Sequence, residues 1–262
     1  MYSNPLTTQD LSDLQHKVDE LIIVQGTYAF ENWKNPELHS KGNEGDIFTD
    51  IDVSIEEKLT TELANVYPQA KIFGEETGGE IGEEYTWLID PIDGTKHFAH
   101  GMPSFFVQVA LLLKKEPILG VIYEPVTKQL FSASLGNGTF LNGNRVALPT
   151  PVPIEKAVID VDLGGKEDID WKLDALKKLV ASSYRVRVSG GRFAPYLLTG
   201  GINAFVVLNP TTKSFDQMPR VILAREAGFE ATEFPRNDNT VRIIGQKTLI
   251  EDITRIIGLN VN

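Results

Sequence analysis

A chain of 262 residues with 42% apolar and 23% charged residues has the balance of a globular protein with a substantial core, which excludes fibrous and disordered classes. Its net charge of −11, with basic residues scattered, argues against a nucleic-acid partner, because phosphate-backbone binding needs a concentrated basic face. The absence of cysteine removes disulfides, thiolate zinc sites and a cysteine nucleophile together.

From Leu11 to Phe30, apolar Leu11, Leu14, Val18, Leu21, Ile22 and Tyr28 recur at helical spacing behind the capping candidates of T-T-Q-D. A second helical pattern, Ile55, Leu59, Leu63 and Val66, stops before Pro68 and places Asp52 near a helix N-terminus. From A-K-I-F onward the runs shorten and alternate between Gly and Pro turns, predicting a mostly antiparallel sheet. Beyond a proline-rich joint near residues 149 to 153, strands and helices alternate: A-V-I-D-V, Trp171 to Val180, Y-R-V-R-V, Phe193 to Leu198, A-F-V-V-L, Gln217 to Ala227, V-R-I-I and Leu249 to Ile257. The expected fold is α/β, with an α+β half over 1–150 and an α/β half over 151–262. The opening M-Y-S-N-P-L-T-T-Q-D has no basic or apolar leader pattern, and no apolar run approaches the roughly 20 residues of a membrane span, so a cytoplasmic protein without a membrane partner is expected.

The chemistry gathers around W-L-I-D-P-I-D-G-T, residues 87 to 95. Pro91 biases Asp90 toward an extended conformation, so the strand is expected to turn there with Asp90 and Asp93 facing one small volume. Two ionised carboxylates that close repel unless a cation lies between them, and an all-oxygen set selects a hard ion such as Mg²⁺ over zinc. The alternative is ordinary capping, with Asp90 closing a turn and Asp93 opening a helix. Upstream, F-G-E-E sets Glu75 and Glu76 behind another short apolar run, either at the same rim or in a solvated acidic loop. A phosphoaspartyl mechanism of the D-x-D-G-T type is disfavoured, because Pro91 stands where its nucleophile belongs.

These motifs, together with G-D-I-F-T-D-I-D at 45 to 52, G-V-I-Y-E-P-V-T-K-Q-L-F-S-A at 120 to 133, G-N-G-T-F-L-N-G at 136 to 143 and F-D-Q-M-P-R-V-I-L-A-R-E-A-G at 215 to 228, resemble the inositol monophosphatase family of metal-dependent, lithium-sensitive phosphatases. The resemblance implies a layered αβαβα sandwich. It implies Glu75, Asp90, Asp93, Asp216 and the Ile92 carbonyl as ligands of two or three Mg²⁺ ions, replaceable by Mn²⁺, with Asp52, Thr95 and Glu75 acting on the attacking water. Asp52 and Asp216 could also simply cap helices. Lys41, Asp93, Gly94, Thr95 and Asp216 would contact substrate, with Ser189, Gly190 and Arg192 lining the pocket. Where inositol-specific members carry an acid, this chain offers Asn209 and Lys213, and it has His97, Phe215, Gln217 and Met218 at other positions that usually differ.

The implied activity is hydrolysis of a small soluble phosphate ester by a metal-activated water, with inositol 1-phosphate the first substrate to consider. Histidinol phosphate, fructose 1,6-bisphosphate and 3′-phosphoadenosine 5′-phosphate are the alternatives, and a non-catalytic metal-binding member is the rival of another class. A homodimer is implied by the resemblance alone.

Overall fold

The computed structural model describes residues 6–34, 36–40, 42, 47–190, 194–208, 214–236 and 239–259. The chain divides into two compact units, Met1–Arg145 with Ser214–Glu226, and Val146–Lys213 with Ala227–Asn262. The proline-rich joint thus lies just inside the second unit. The helix carrying Asp216, late in sequence, belongs to the first.

The first unit opens with α1 (Thr8–Asn32), capped by reciprocal bonds in which Thr7 N donates to Asp10 Oδ2 at 2.8 Å and Asp10 N to Thr7 Oγ1 at 3.2 Å. A short hairpin, β1 (Leu38–Ser40) and β2 (Ile47–Thr49), leads into α2 (Asp50–Val66), where Thr49 and Asp52 repeat the same box. Then come β3 (Lys71–Gly74), β4 (Gly78–Gly79), β5 (Tyr85–Asp93), α3 (Thr95–Ala99), β6 (Phe106–Leu113), β7 (Glu116–Glu124), β8 (Gln129–Ser134), β9 (Gly138–Leu141) and β10 (Asn144–Arg145). Among the described residues these strands order as β10-β9-β8-β7-β6-β5-β3-β4, antiparallel throughout except for β3 beside β5.

Both faces of this sheet are covered, which explains why β5 to β7 read as nearly continuous apolar runs. On one face Trp87, Ile89, Val109 and Val121 join Leu14, Val18, Ile55 and Leu59 of α1 and α2 in a buried core. On the other, Leu88, Ala110 and Leu112 meet Met218 of α5 (Ser214–Glu226). Gly120 on β7 permits that approach, since a Cβ there would come within 2.5 Å of Ile222 Cγ2 and 2.9 Å of the Pro219 carbonyl oxygen.

In the second unit β11 (Val158–Asp162) lies parallel between β12 (Arg185–Val188) and β13 (Ala204–Val207), and β15 (Asn239–Gly245) and β14 (Glu230–Arg236) extend the sheet antiparallel. The core joins Ile159, Val161, Val206 and Ile243 to Ala175 and Leu179 of α4 (Ile169–Ser182) and Ile250 and Ile253 of α6 (Lys247–Ile257). The helix expected from Phe193 to Leu198 is a single 3-10 turn, Ala194–Leu197. The α/β expectation is met by mixed sheets with flanking helices. No helix is long and apolar enough to cross a membrane among the described residues.

Candidate metal centre

The sheet register shows how one strand presents two carboxylates. In an uninterrupted strand, residues three apart point to opposite faces. Here Asp90 pairs with Gln108 and Asp93 with Phe106, so β5 advances three residues while β6 advances two. The extra residue is a β-bulge, and Pro91 sits within it, where its missing N–H disrupts no regular ladder. The turn expected at Pro91 is therefore a bulge, and the strand runs on to Asp93.

β3 runs parallel to β5 with Gly74 beside Ile89, and Glu75 N donates to the Ile89 carbonyl at 3.1 Å, bringing Glu75 level with Asp90. Glu56 of α2, wholly buried, fixes the loop that follows. Its Oε2 accepts from Glu76 N at 2.9 Å, and its Oε1 accepts from Thr77 N at 2.7 Å and Thr77 Oγ1 at 2.5 Å. Gly74 leaves room for this carboxylate, because a Cβ there would stand 2.2 Å from Glu56 Oε1. The first turn of α5 adds Asp216.

Glu75, Asp90 and Asp216 each offer an oxygen, and the three oxygens lie within 4.8 Å of one another. Asp90 is the buried member. Its Oδ2 accepts from Gln108 Nε2 at 2.7 Å, while its Oδ1 has no hydrogen-bond partner among the described residues. Burial first, then the charges of Glu75, Asp93 and Asp216, push the Asp90 carboxyl well above its ordinary range, and the Gln108 bond only partly opposes this. A buried carboxylate oxygen without a donor, beside two further carboxylates, fits a divalent cation, whose charge would replace the missing hydrogen bond and relieve the repulsion.

Asp93 lies near enough for its charge to act on Asp90. Its Oδ2 is bonded by Arg220 Nη2, one turn beyond Asp216 on α5, with side-chain exposures of 14% and 4%. Ile92, also expected to contribute its carbonyl, accepts there from Thr95 Oγ1 at 2.9 Å.

Asp52 is wholly buried and faces two ways. Its Oδ2 accepts from Thr49 N at 2.9 Å and Thr49 Oγ1 at 2.5 Å, closing the cap of α2, and its Oδ1 lies 3.4 Å from Thr95 Oγ1. Capping and proximity to Thr95 coexist because they use different oxygens. Gly94, in the left-handed region at φ 92°, turns the chain from β5 into α3. That helix spans five residues.

Ser189 and Gly190 belong to the second unit, where Ser189 Oγ donates to buried Asp160 Oδ2 at 2.6 Å. Lys41, Arg192, Asn209 and Lys213 lie outside the described residues. Glu56, Gln108 and Arg220 lie beside the site's acids without a sequence motif that marks their role. Gln108 carries the clearest signal in retrospect, as the one amide inside the apolar run F-F-V-Q-V-A-L-L-L.

A model of the inositol monophosphatase family matches residues 13–255. The chain belongs to this family. Inositol monophosphatase 2 of Solanum lycopersicum is 32% identical over 178 residues, covering 64% of this chain and 65% of its own. The alignment thus spans a little under two thirds of that curated relative. The fructose-1,6-bisphosphatase/inositol-1-monophosphatase of Thermotoga maritima is 31% identical over 193 residues, 72% of each chain. Among solved structures, the extragenic suppressor protein suhB from Bartonella henselae superposes with a TM-score of 0.85 at 25% identity, covering 94% of this chain and 98% of that one. The family's fold and its phosphoesterase chemistry agree with an acidic cluster able to hold a divalent cation.

Proposed function

We propose that this chain is a Mg²⁺-dependent phosphomonoesterase acting on a small phosphate ester, with inositol 1-phosphate its leading substrate. The observation that carries the reading is the buried, unpartnered Asp90 Oδ1 beside Glu75 and Asp216. These three carboxylates would hold the cation. When bound, a divalent ion supplies Lewis-acid polarisation of the phosphoryl group, and it lowers the pKa of water.

The chain's own contribution is positional and acid-base. Thr95 Oγ1 lies within donating distance of both the Ile92 carbonyl, at 2.9 Å, and Asp52 Oδ1, at 3.4 Å, and keeps acceptor capacity of its own. Thr95 and Asp52 can then each accept a hydrogen bond from one water, leaving a lone pair on that water for in-line attack. Asp52 is the group able to take up the proton. No covalent intermediate is required.

The second reading within the class is a sugar bisphosphate substrate, favoured by the bifunctional name of the Thermotoga relative. A cytoplasmic homodimer completes the proposal on the strength of family resemblance, and light scattering on the purified chain checks the dimer. Phosphate release from inositol 1-phosphate, histidinol phosphate, fructose 1,6-bisphosphate and 3′-phosphoadenosine 5′-phosphate, each with Mg²⁺ and with chelator, tests the activity. Chelator-sensitive release from at least one ester is expected, fastest from inositol 1-phosphate. Silence across the panel would mark a metal-binding member without catalysis.

A further inference from the structure

We propose that the second unit carries a binding site for one small oxyanion, a phosphate or carboxylate group, in a recess built around buried Lys172 and Arg236. Nothing in this site depends on a metal ion.

Lys172 stands near the start of α4 and is only 1% exposed. Its ammonium has three protons to donate, yet among the described residues one acceptor meets it, the Gly165 carbonyl at 3.1 Å, and no carboxylate pairs with it. A buried lysine is ordinarily paired, because taking its charge out of water is costly. An anion received in the recess would supply the missing counter-charge.

Around Lys172 the recess is lined by Asp168, Trp171, Arg236, Asn239 and Thr240. Arg236 forms a fixed wall, its guanidinium 3.9 Å from the centre of the Trp171 ring and its Nη1 bonded to Asp168 Oδ2. That bond engages one of five guanidinium protons. Two cations against one carboxylate leave a net positive recess in a chain whose overall charge is −11. Asn239 and Thr240 add an amide and a hydroxyl. The space, open mouth included, is about 240 Å³, which suits one compact group rather than a nucleotide.

Leu208 and Val241, which also line the recess, belong to the core beneath α4 and α6. Ile159 and Val161 point into that core, so Asp160 between them points to the opposite face of the sheet. Ser189, which the family resemblance places in the substrate pocket, bonds Asp160 on that opposite face. The recess is therefore a further site and not part of the pocket that Ser189 would line.

Calorimetric titration with sodium phosphate and, separately, with sodium acetate tests this on the purified full chain in chelator, at an ionic strength held constant with chloride. At least one of the two anions should bind the wild type at one equivalent, and the melting temperature should rise with its concentration. Phosphate alone would assign a phosphoryl group, acetate alone a carboxylate, and both a site for any compact oxyanion. Lys172→Met should weaken that binding about tenfold or more, as loss of a charge-assisted hydrogen bond does, and Arg236→Gln about threefold or more. Asp90→Asn, altered in the first unit, should bind the anion as the wild type does. Binding of neither anion by the wild type would leave Lys172 a structural cation held by Gly165 and overturn the proposal. Unchanged affinity in a folded Lys172→Met, or loss of binding in Asp90→Asn, would overturn it as well. If Lys172→Met does not fold, Arg236→Gln decides, and unchanged affinity there is the contradicting result.

Discussion

Gln108 Nε2 donates to Asp90 Oδ2 at 2.7 Å across the β5–β6 pair, fixing one oxygen of the buried member of the Glu75, Asp90 and Asp216 group, while the other has no hydrogen-bond partner among the described residues. The amide thus orients an acid of the proposed cation site without offering it a competing proton at Oδ1. Gln108→Leu should weaken Mg²⁺ binding by about 10- to 100-fold, the usual cost of losing a partner that orients a ligand, and calorimetric titration measures it. Unchanged affinity would show that Asp90 is held by packing alone.

The same carboxyl carries a pH dependence. Its pKa is raised by burial and by three neighbouring acids, and a cation needs the ionised form. Mg²⁺ affinity should therefore fall as pH drops through the raised value, well above the range in which an ordinary aspartate protonates. Proton release on binding, read from titrations in buffers of different ionisation enthalpy, should accompany this and vanish in Asp90→Asn.

The loop after Glu75 depends on Glu56, whose two oxygens accept three hydrogen bonds from Glu76 and Thr77. Glu56→Gln turns one acceptor into a donor facing an N–H, and leaves a buried group unsatisfied at a cost of about 1–3 kcal/mol. Chemical denaturation should register that loss, and metal affinity should fall with it because the loop carries Glu75. Gly74→Ala should give a similar phenotype from the other side, since the added methyl would stand 2.2 Å from Glu56 Oε1.

Much of this was legible in the sequence, and the failures have physical causes. Asp90 and Asp93 announce themselves because acids three apart around a proline are uncommon at the end of an apolar run, but a proline can mark a bulge as well as a turn, and only the β6 register distinguishes them. Asp216 needed the return of α5 to the first unit, which no local pattern encodes. Glu56 and Arg220 sit on amphipathic helices, where a charge usually marks the solvent face, yet each is buried against a partner distant in sequence. β14 carries a weak strand signal, because E-A-T-E-F-P-R mixes acids with a proline, which an edge strand tolerates.

Away from the site, Asp19 on α1 gives a stability signature of its own. Burial pushes its carboxyl up to about 7, opposed by the hydrogen bond from Ser132 Oγ at 3.2 Å and assisted by the charge of Glu20. A raised folded-state value means the folded protein holds a proton that the unfolded chain releases, so stability falls as pH rises from about 4 to about 7 and levels off above. The loss should be on the order of a few kcal/mol, and Asp19→Asn should flatten that limb and be the more stable protein at pH 8. Urea denaturation across that pH series provides the comparison.

The pair proposed to handle water, Thr95 and Asp52, separates function from fold. Thr95→Val keeps the shape of the side chain and loses the hydroxyl that lies between the Ile92 carbonyl and Asp52. Turnover should fall roughly 10²-fold with little change in melting temperature, because the cap of α2 uses the other oxygen of Asp52. An equal loss in both would assign the hydroxyl to structure.

The most direct test is inorganic phosphate release by wild type and Asp90→Asn, each with and without Mg²⁺, on the ester that the panel finds best. Release should require Mg²⁺ in the wild type and be abolished in Asp90→Asn, whose circular dichroism spectrum should match the wild type. Wild-type turnover that persists in chelator, or an Asp90→Asn protein as active as wild type, would contradict the account.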